Sequence, residues 1–237
     1  MFQNCKRRDI FNEEVSDLTG NEMNTVQKVI ETKSFQGFRK MYHVLAASLF
    51  PLAYLYPPGL SLPETKKWLL IVSGSCFLIS FAFDFLRLRN HEFNSQFMKF
   101  FSAFIRRTET NRYNGSTFLC LAFFLVIFLF SRKIAIAAML FLSLGDAAAE
   151  LSGKNFGRLR IFQRSMEGTF AFFLVCFPIA FALFEDLRIA FLGALAGAVV
   201  ELFSFDWDDN LTVPIGSAVA LSLGLVLFHL GNPLFSF

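Results

Sequence analysis

Two carboxylates, three glycines and a lysine stand together in residues 145–157, GDAAAELSGKNFG. Asp146 and Glu150 are four residues apart, so on a helix they share one face and repel each other unless a cation lies between them. A small set of oxygen ligands suits Mg²⁺, which keeps several waters and completes its shell with substrate phosphates. Gly153 and Gly157 would let the backbone turn and approach a ligand closely. The stretch therefore predicts a nucleotide-phosphate site with its metal.

Basic side chains follow these acids and offer partners for phosphate oxygens. Lys154, Arg158 and Arg164 can form charge-assisted hydrogen bonds with such oxygens. A structural alternative stays open, in which the two acids form ion pairs with Lys154 and Arg158 while the glycines end the helix. The spacing alone does not separate these two interpretations.

A second acidic run follows about fifty residues later in the chain. Asp206, Asp208 and Asp209 supply further oxygen ligands for a metal, or a base that accepts a proton, and Asn210 stands next to them. Pro214 is suited to the first turn of a helix that starts right after the acids. A solvated acidic loop is the alternative for the same residues.

These clusters are embedded in a chain whose composition is that of a membrane protein. Of its 237 residues, 54% are hydrophobic, only 17% are charged and 34 are phenylalanine, which is outside the range of soluble proteins. Seven apolar segments come close to the roughly 20 residues that cross a bilayer. They are 41–59, 67–86, 116–131, 133–151, 167–185, 187–204 and 212–232. We predict an all-α, polytopic integral membrane protein with about seven transmembrane helices.

The distribution of Lys and Arg predicts how the chain is oriented. Cytoplasmic loops retain positive charge, and 17 of the 22 Lys and Arg residues fall in the N-terminal tail or in loops on the same side of the predicted spans. The opposite side holds the other 5. We therefore predict a cytoplasmic N-terminus and a C-terminus on the far side. A dispersed net charge of +3 indicates no nucleic-acid partner.

Two segments outside the predicted spans are assigned to the cytoplasmic face. Residues 1–38 are polar and charged, and they are predicted to form a cytoplasmic tail before a membrane-embedded catalytic domain, 39–237. Residues 92–107, EFNSQFMKFFSAFIRR, place five phenylalanines on one helical face and basic residues elsewhere. This is the pattern of an amphipathic helix lying in the headgroup plane. Such an interfacial helix is either an anchor or a platform that guides a lipid substrate.

The positions of polar groups within the apolar chain predict one site. Such groups cost about 2.5–3.5 kcal/mol each at membrane depth, so they indicate function. Four groups occur: RKMYH at 39–43, DFLR at 84–87, and the polar residues of 146–168 and 201–214. On the predicted topology all four lie at cytoplasmic span ends or in cytoplasmic loops. A single cytoplasmic-face site, built from several helix ends, is the economical interpretation.

Familiar signatures of other sites do not occur in the sequence. GKN, residues 153–155, lacks the hydroxyl residue and the glycine spacing of a P-loop, and there is no protein-kinase catalytic loop. The three histidines are isolated, so no zinc-type spacing exists. The four cysteines are scattered singly and are interpreted as inert packing thiols.

Several motifs in order along residues 39–215 resemble those of a known enzyme family. SLGDAAAELSGKNFG is followed by RSMEGT and DDNLTVPI, while RKxxH precedes the first span and DxxR ends the second. Together they resemble the CTP-dependent lipid-alcohol kinases: dolichol kinase, phytol kinase and the CTP-dependent diacylglycerol kinase. The resemblance implies an integral membrane enzyme that transfers the terminal phosphate of CTP to a lipid hydroxyl with a divalent cation.

The resemblance also implies roles for individual residues. The family's motifs are matched by Gly145, Asp146, Gly153, Lys154, Gly157, Ser165, Gly168, Asp209, Asn210 and Pro214. Our hypothesis is that Asp146, with Glu150 or Asp209, binds Mg²⁺. Lys154, Arg158 and Arg164 would neutralise the CTP phosphates, and Asp209 or Asp84 would accept the proton of the alcohol.

Two departures from the family pattern and three rival functions remain. Arg164 stands where lysine is usual, which keeps the charge but alters donor geometry, and Asn155 replaces a commonly basic residue. The nearest rival is a CTP:phosphatidate cytidylyltransferase, which directs attack at the α-phosphorus. A membrane transporter would use the acids as an ion pathway, and an inactive relative would act as a scaffold. The acceptor lipid is left open among diacylglycerol, polyprenols and phytol.

Overall fold

The computed structural model describes residues 44–57, 59–90, 92–94, 96–97, 112–161, 164–203 and 208–229. The chain divides after Met41, and all the described residues belong to the unit Tyr42–Phe237. The tail 1–38 and the RKxxH motif at 39–43 lie outside the described residues. Most of the interfacial segment 92–107 also lies outside them, so its amphipathic helix stays a prediction.

The described residues are mostly helical. The helices are α1 Val44–Leu55, α2 Leu62–Arg89, α3 Gly115–Leu129, α4 Arg132–Leu140, α5 Asp146–Phe156, α6 Met166–Phe184, α7 Leu187–Leu202 and α8 Asp209–His229, with a π-helical turn Phe141–Gly145 that joins α4 to α5. Two short strands, β1 Arg160–Ile161 and β2 Arg164–Ser165, pair antiparallel between α5 and α6. The predicted all-α class is thus right except for this strand pair.

Four helical stretches are long and apolar enough to cross a membrane: Leu62–Arg89, Arg132–Phe156, Met166–Phe184 and Asp209–Phe228. Helices α1 and α3 are apolar but shorter, and α7 has 16 residues. Every predicted span therefore overlaps a helix. The number of seven spans stays a prediction, because three of these helices are shorter than the roughly 20 residues that a perpendicular span requires.

Helices begin where a side chain satisfies their first backbone amides. Ser61 precedes α2, and its amide donates to Glu64 Oε2 at 2.9 Å. Asn114 precedes α3 and accepts from the Ser116 amide at 3.2 Å. Asp186 precedes α7 and accepts from the amide two residues later at 2.8 Å. These local signals divide the apolar sequence into separate helices.

Neighbouring helices run antiparallel and approach closely at glycines. On α7, Gly193 lies against Leu221 and Gly197 against Ser217, so rising residue numbers on α7 meet falling numbers on α8. A Cβ on Gly197 would lie 2.9 Å from Ser217 Oγ. Such contacts between small residues are typical of membrane bundles, where van der Waals packing replaces the hydrophobic effect.

Helices α2 and α3 form a second antiparallel pair. Gly74 lies against the Phe124 ring, and Asp84 hydrogen-bonds Thr117. The thiols of Cys76 and Cys120, which look unrelated in the sequence, lie within hydrogen-bonding distance of each other across this pair. The two cysteines are scattered in the sequence but are neighbours in the fold. Their contact is one of helix packing.

The connection at residues 130–131 shows which helix ends share one end of the bundle. Helix α3 has 15 residues before it, and α4 and the π turn contribute 9 and 5 residues after it. With a similar rise per residue, the start of α3 and Asp146 therefore lie at similar heights. Because Asp84 contacts the start of α3, it lies at the same end as Asp146.

Candidate functional site

The side chain of Arg164 joins three helices at this end of the bundle. One terminal nitrogen lies 3.2 Å from Glu201 Oε1 and 3.7 Å from Asp146 Oδ1. The other donates a hydrogen bond to Asp209 Oδ2. Asp146 begins α5, Glu201 lies in the last turn of α7, and Asp209 begins α8. We call these four side chains the Arg164 cluster.

The Arg164 cluster contains three carboxylates and one guanidinium, and it is only partly exposed. The exposed fraction is 23% for the Arg164 side chain but 2% for Glu201. Burial by itself would lower the pKa of Arg164, but the charges of Asp209, Asp146 and Glu201 outweigh burial and raise that pKa above its usual value. Arg164 is therefore permanently cationic. With its acids ionised, the cluster keeps an excess of negative charge that attracts a further cation.

Glu201 is the member of the cluster to which the sequence analysis gave no individual role. Its Oε1 faces Arg164, and its Oε2 accepts a hydrogen bond from Thr169 Oγ1 at 3.0 Å. Both oxygens are thus used, which fixes the position of the Arg164 guanidinium. The available signal was a single carboxylate at the end of an otherwise apolar helix, where an unpaired charge is costly.

The strand pair and the start of α6 position Arg164. Arg164 lies in β2, where it pairs with Ile161, and Ser165 follows it as the N-cap of α6. Ser165 Oγ accepts a hydrogen bond from the Gly168 amide at 3.1 Å. The Glu167 carboxylate accepts from two amides of the preceding loop, one of them that of Arg158 at 3.0 Å. The hairpin is therefore held at the mouth of the cluster.

The motif glycines make room for protein atoms at this end of the bundle. A Cβ on Gly145 would lie 2.6 Å from Cys176 Sγ, and one on Gly168 would lie 2.6 Å from the carbonyl oxygen of Ala149. A Cβ on Gly153 would lie 2.7 Å from Ser165 Oγ. The glycines thus allow α5 to pack closely against the start of α6. Their predicted contact with a nucleotide stays a prediction.

Gly157 ends α5 and completes this group. Its amide donates to the carbonyl oxygen of Gly153 at 3.2 Å, and a Cβ would meet that same oxygen. The chain then turns into β1, whose first residue lies opposite Ser165. Gly157 therefore allows the turn that carries the chain from α5 to Arg164.

Glu150 and Lys154 pair with each other on the exposed side of α5. Lys154 Nζ lies 2.5 Å from Glu150 Oε1, and the Lys154 side chain is 59% exposed. This is the ion pair that the structural alternative for these two residues predicts. Arg158 is exposed beyond the end of α5. Glu150 thus faces a lysine, whereas Asp146, one turn earlier, faces Arg164.

The second acidic run forms the start of α8. Asp208 Oδ1 accepts hydrogen bonds from the backbone amide and the side-chain amide of Asn210, at 2.9 and 2.7 Å. Asp208 therefore acts as a helix cap, while Asp209 reaches Arg164. Asp206 lies outside the described residues. Pro214 lies inside α8, one turn beyond its start.

Asp84, the other candidate base, has a different environment. Its Oδ1 accepts from Arg87 at 2.9 Å, and its Oδ2 accepts from the Asn114 amide at 2.8 Å and from Thr117 Oγ1 at 2.7 Å. Asp84 and Arg87 are both buried. None of the hydrogen bonds or ion pairs of Asp84 among the described residues joins it to the Arg164 cluster. Asp84 therefore belongs to a different hydrogen-bond network from Asp146 and Asp209, although all three lie at the same end of the bundle.

The donor chemistry of the cluster suits Mg²⁺ only in part. Across the described portion of the chain, no three carboxylate, histidine or cysteine side chains stand in an arrangement that could hold a metal ion by themselves. Arg164 lies between the carboxylates in this arrangement. Mg²⁺ commonly takes one or two carboxylates and completes its shell with water and phosphates, and Asp146 and Asp209 offer that number.

Known proteins similar to this chain include named enzymes. The CTP-dependent diacylglycerol kinase 1 of Saccharomyces cerevisiae is 26% identical over 219 residues, which cover 80% of this chain and 73% of the yeast protein. A phytol kinase of Synechocystis is 34% identical over 106 residues, covering 40% of this chain and 46% of that protein. An uncharacterized protein of Rickettsia prowazekii is 28% identical over 204 residues, which cover 81% of this chain and 96% of that protein. No family model and no solved structure matches this chain.

Proposed function

We infer from these homologues that the chain belongs to a family of CTP-dependent lipid kinases, and we propose that it transfers the terminal phosphate of CTP to the hydroxyl of a lipid alcohol. The resemblance of the chain to that family is confirmed by these homologues. The apolar helices, together with relatives named as kinases of lipid alcohols, support a membrane protein. Diacylglycerol and phytol, named in the relatives, are the first acceptors to test.

The observation that carries the proposal is the Arg164 cluster. Phosphoryl transfer requires positioning and neutralisation of charge rather than a covalent intermediate. The cluster supplies one fixed cation and carboxylates from three helices at one end of an apolar bundle. A water-soluble nucleotide and a lipid substrate can both reach such an end, whereas neither a buried site at mid-depth nor an extramembrane domain would serve both.

Mg²⁺ is the cation that we propose for this site, with Asp146 and Asp209 as its protein ligands. Bound there, Mg²⁺ would neutralise phosphate oxygens of CTP. The sequence-based ligand Glu150 is the less suitable partner, because it pairs with Lys154. Glu201 would keep Arg164 in place when the other two carboxylates bind the metal.

The basic residues would then bind phosphates. Arg164 presents a planar set of donors that matches phosphate geometry. Lys154 and Arg158 are exposed at the C-terminal end of α5 and can add positive charge. Asp209 is favoured over Asp84 as the proton acceptor. The Asp84 carboxylate already accepts three hydrogen bonds, and its side chain is 5% exposed against 19% for Asp209, so Asp84 is the less accessible of the two to a lipid hydroxyl.

The sidedness of the site is part of the proposal. The tail and loops on the same predicted side as the cluster carry 17 of the 22 Lys and Arg residues, so the positive-inside rule favours a cytoplasmic location for this end of the bundle. The lipid alcohol would then enter from the cytoplasmic leaflet. CTP would approach from the aqueous side.

The test is incubation of the purified protein in lipid nanodiscs with γ-labelled CTP, Mg²⁺ and a panel of lipid alcohols. We expect label in the lipid product and release of CDP. Asp146→Asn should abolish transfer while the protein stays folded, and Glu185→Gln, an exposed acid between α6 and α7, should leave transfer unchanged. Undiminished transfer by Asp146→Asn would contradict the metal assignment.

The same experiment separates the rival functions. A CTP:phosphatidate cytidylyltransferase would release pyrophosphate and place the label from α-labelled CTP in lipid. A transporter or a scaffold would consume no CTP under any of these conditions. If lipid is labelled by γ-labelled CTP but not by α-labelled CTP, the cytidylyltransferase, the transporter and the scaffold are all excluded.

A further inference from the structure

A cavity of about 450 Å³ lies beside Asp84, at the same bundle end as the Arg164 cluster. Helix α2, the first turn of α3 and the segment 92–97 line it. Its size is within the range of about 300–1,000 Å³ typical of small-molecule sites. The Arg164 cluster and the predicted nucleotide motif contribute no residue to its lining. The proposed roles of those residues therefore leave this cavity without a function.

Most of the cavity wall is apolar. Ile79 and Phe83 contribute from α2, and Phe93 and Phe97 face them from the next segment. The rings of Phe93 and Phe97 stack with centroids 6.3 Å apart. The Arg87 guanidinium lies 5.7 Å from the centroid of the Phe97 ring. The wall therefore suits hydrocarbon, and the Arg87 contact ties it to the Asp84–Arg87 pair.

The polar groups that line the cavity offer no free charge. Its one charged group, Asp84, is paired with Arg87 and holds two further donors. Asn114, Ser116 and Thr117 add amide and hydroxyl groups at the start of α3. No lysine, arginine or histidine is among the described residues that line the cavity. An uncharged polar group is therefore favoured there, because a phosphate would lose its hydration without gaining a cation.

The cavity is accessible from the side of the bundle that would face lipid. Ile79 and Phe83 are 58% and 49% exposed, so the helix that forms the wall also forms part of the outer surface. A membrane lipid can thus reach the cavity sideways without leaving the bilayer.

We propose that this cavity binds the head-group region of an uncharged, hydroxyl-bearing lipid, with its tail along Ile79, Phe83, Phe93 and Phe97. The proposal rests on the proposed function, since it names the site that would bind the acceptor lipid at the same bundle end as the phosphate-transfer cluster. It also identifies the class of lipid as uncharged. The phosphorylated product, being charged, binds this cavity poorly and leaves it.

A cavity-filling variant tests the proposal. Ser80 lines the cavity from α2, whereas Ser75 is exposed on the same helix and outside the lining. Ser80→Phe and the matched control Ser75→Phe are compared in nanodiscs with a diacylglycerol that carries a photoreactive diazirine. Cross-linked peptides are identified by mass spectrometry. Ser116→Phe, from α3, is a second filling variant should Ser80→Phe fail to fold.

We expect cross-links within residues 79–97, and competition by unlabelled diacylglycerol but not by phosphatidate. Ser80→Phe should reduce this labelling and raise KM for the lipid about tenfold, in keeping with the effect of added bulk in an apolar pocket. KM for CTP and the behaviour of Ser75→Phe should stay unchanged. Labelling that both filling variants leave intact, or that phosphatidate competes as well as diacylglycerol does, would overturn the proposal.

The two proposals fail in different ways. If the unmodified protein transfers no phosphate to any lipid alcohol, the kinase proposal fails. Whether unlabelled diacylglycerol reduces the photolabelling still decides whether the cavity binds lipid. If phosphate transfer is robust while the filling variants change neither labelling nor KM for the lipid, only the cavity proposal fails.

Discussion

At the scale of single residues, Arg164 contacts carboxylates from three helices. It neutralises Glu201, a carboxylate that is almost fully buried, and links it to Asp146 and Asp209. A buried ion pair contributes little net stability, yet removing one partner is costly because the other charge stays buried. Arg164 and Glu201 thus form a unit in which each residue requires the other.

Arg164→Gln should lower the free energy of unfolding by about 3–5 kcal/mol, because it leaves Glu201 buried without a cation. The double variant Arg164→Gln with Glu201→Gln should recover part of this loss. Arg188→Gln is the matched control, since Arg188 forms an exposed ion pair with Asp186 and such pairs contribute at most about 1 kcal/mol. Unfolding in detergent measures all three. An Arg164→Gln variant as stable as the control would contradict this account of the cluster.

Asp84 illustrates a residue whose role changes once its partners are known. Replacing it with Asn removes the carboxylate that pairs with Arg87, a side chain that is 1% exposed, so we expect a loss of about 3–5 kcal/mol in unfolding free energy. We expect kcat per folded molecule to persist at saturating lipid, because Asp209 is the proposed base. Activity normalised to folded protein is the measurement. Complete loss of kcat with normal stability would restore Asp84 as the base.

At the scale of elements, close packing of α5 against the start of α6 positions the site. Gly168 lies against the carbonyl oxygen of Ala149, and Gly153 lies against Ser165 Oγ. The π-helical turn Phe141–Gly145 directly precedes Asp146, and such turns occur frequently at functional sites. A small displacement of α6 would move Arg164, since only Ser165 separates it from that helix.

Gly168→Ala should therefore destabilise the protein more than Gly74→Ala does. The added Cβ would lie 2.6 Å from a backbone oxygen at Gly168 but 3.3 Å from a flexible phenylalanine ring at Gly74. We expect about 1–3 kcal/mol for Gly168→Ala, which is typical of overpacking, and a smaller effect at Gly74. Thermal unfolding compares the two, and KM for CTP should rise only in Gly168→Ala. Equal effects at both positions would count against this packing.

At the scale of the whole molecule, the helices bring distant parts of the chain to one end of a bundle. The four members of the Arg164 cluster come from α5, β2, α7 and α8, and Asp84 and its cavity lie at the same end. The opposite end carries the connection at 130–131, where Arg132 donates to the carbonyl oxygens of Tyr54 and Leu55. The two ends thus differ in chemistry, as expected for a protein whose substrates approach from one side.

This arrangement predicts a definite accessibility in vesicles of known orientation. In a cysteine-free background, Asn155→Cys at the cluster end should react with an impermeant maleimide only from the cytoplasmic side. Lys133→Cys, exposed at the other end, should react only from the opposite side. The side with more Lys and Arg residues, which is the side of the cluster, is expected to be cytoplasmic. The cysteine-free parent is the control for background labelling. The reverse pattern would invert the proposed topology.

The sequence by itself determined the helices, the apolar surfaces and the types of residue at the site. A membrane chain must satisfy its backbone polar groups within helices, and charged residues in it are too costly to occur without a reason. Composition, apolar segments and isolated acids were therefore readable along the chain. The choice of Asp146, Arg164 and Asp209 as site residues came from the same signals and from the motif order.

Only the tertiary structure decided which of these charges meet. Glu150 pairs with Lys154, four residues later on the same helix, whereas Asp146 meets Arg164 from a different element. Glu201 enters the cluster because α7 runs antiparallel to α6 and α8. The cavity at Asp84 forms where α2 and the start of α3 meet Phe93 and Phe97. Pairing and cavities depend on distances between helices, and the sequence does not encode these distances locally. They follow from how the helices pack.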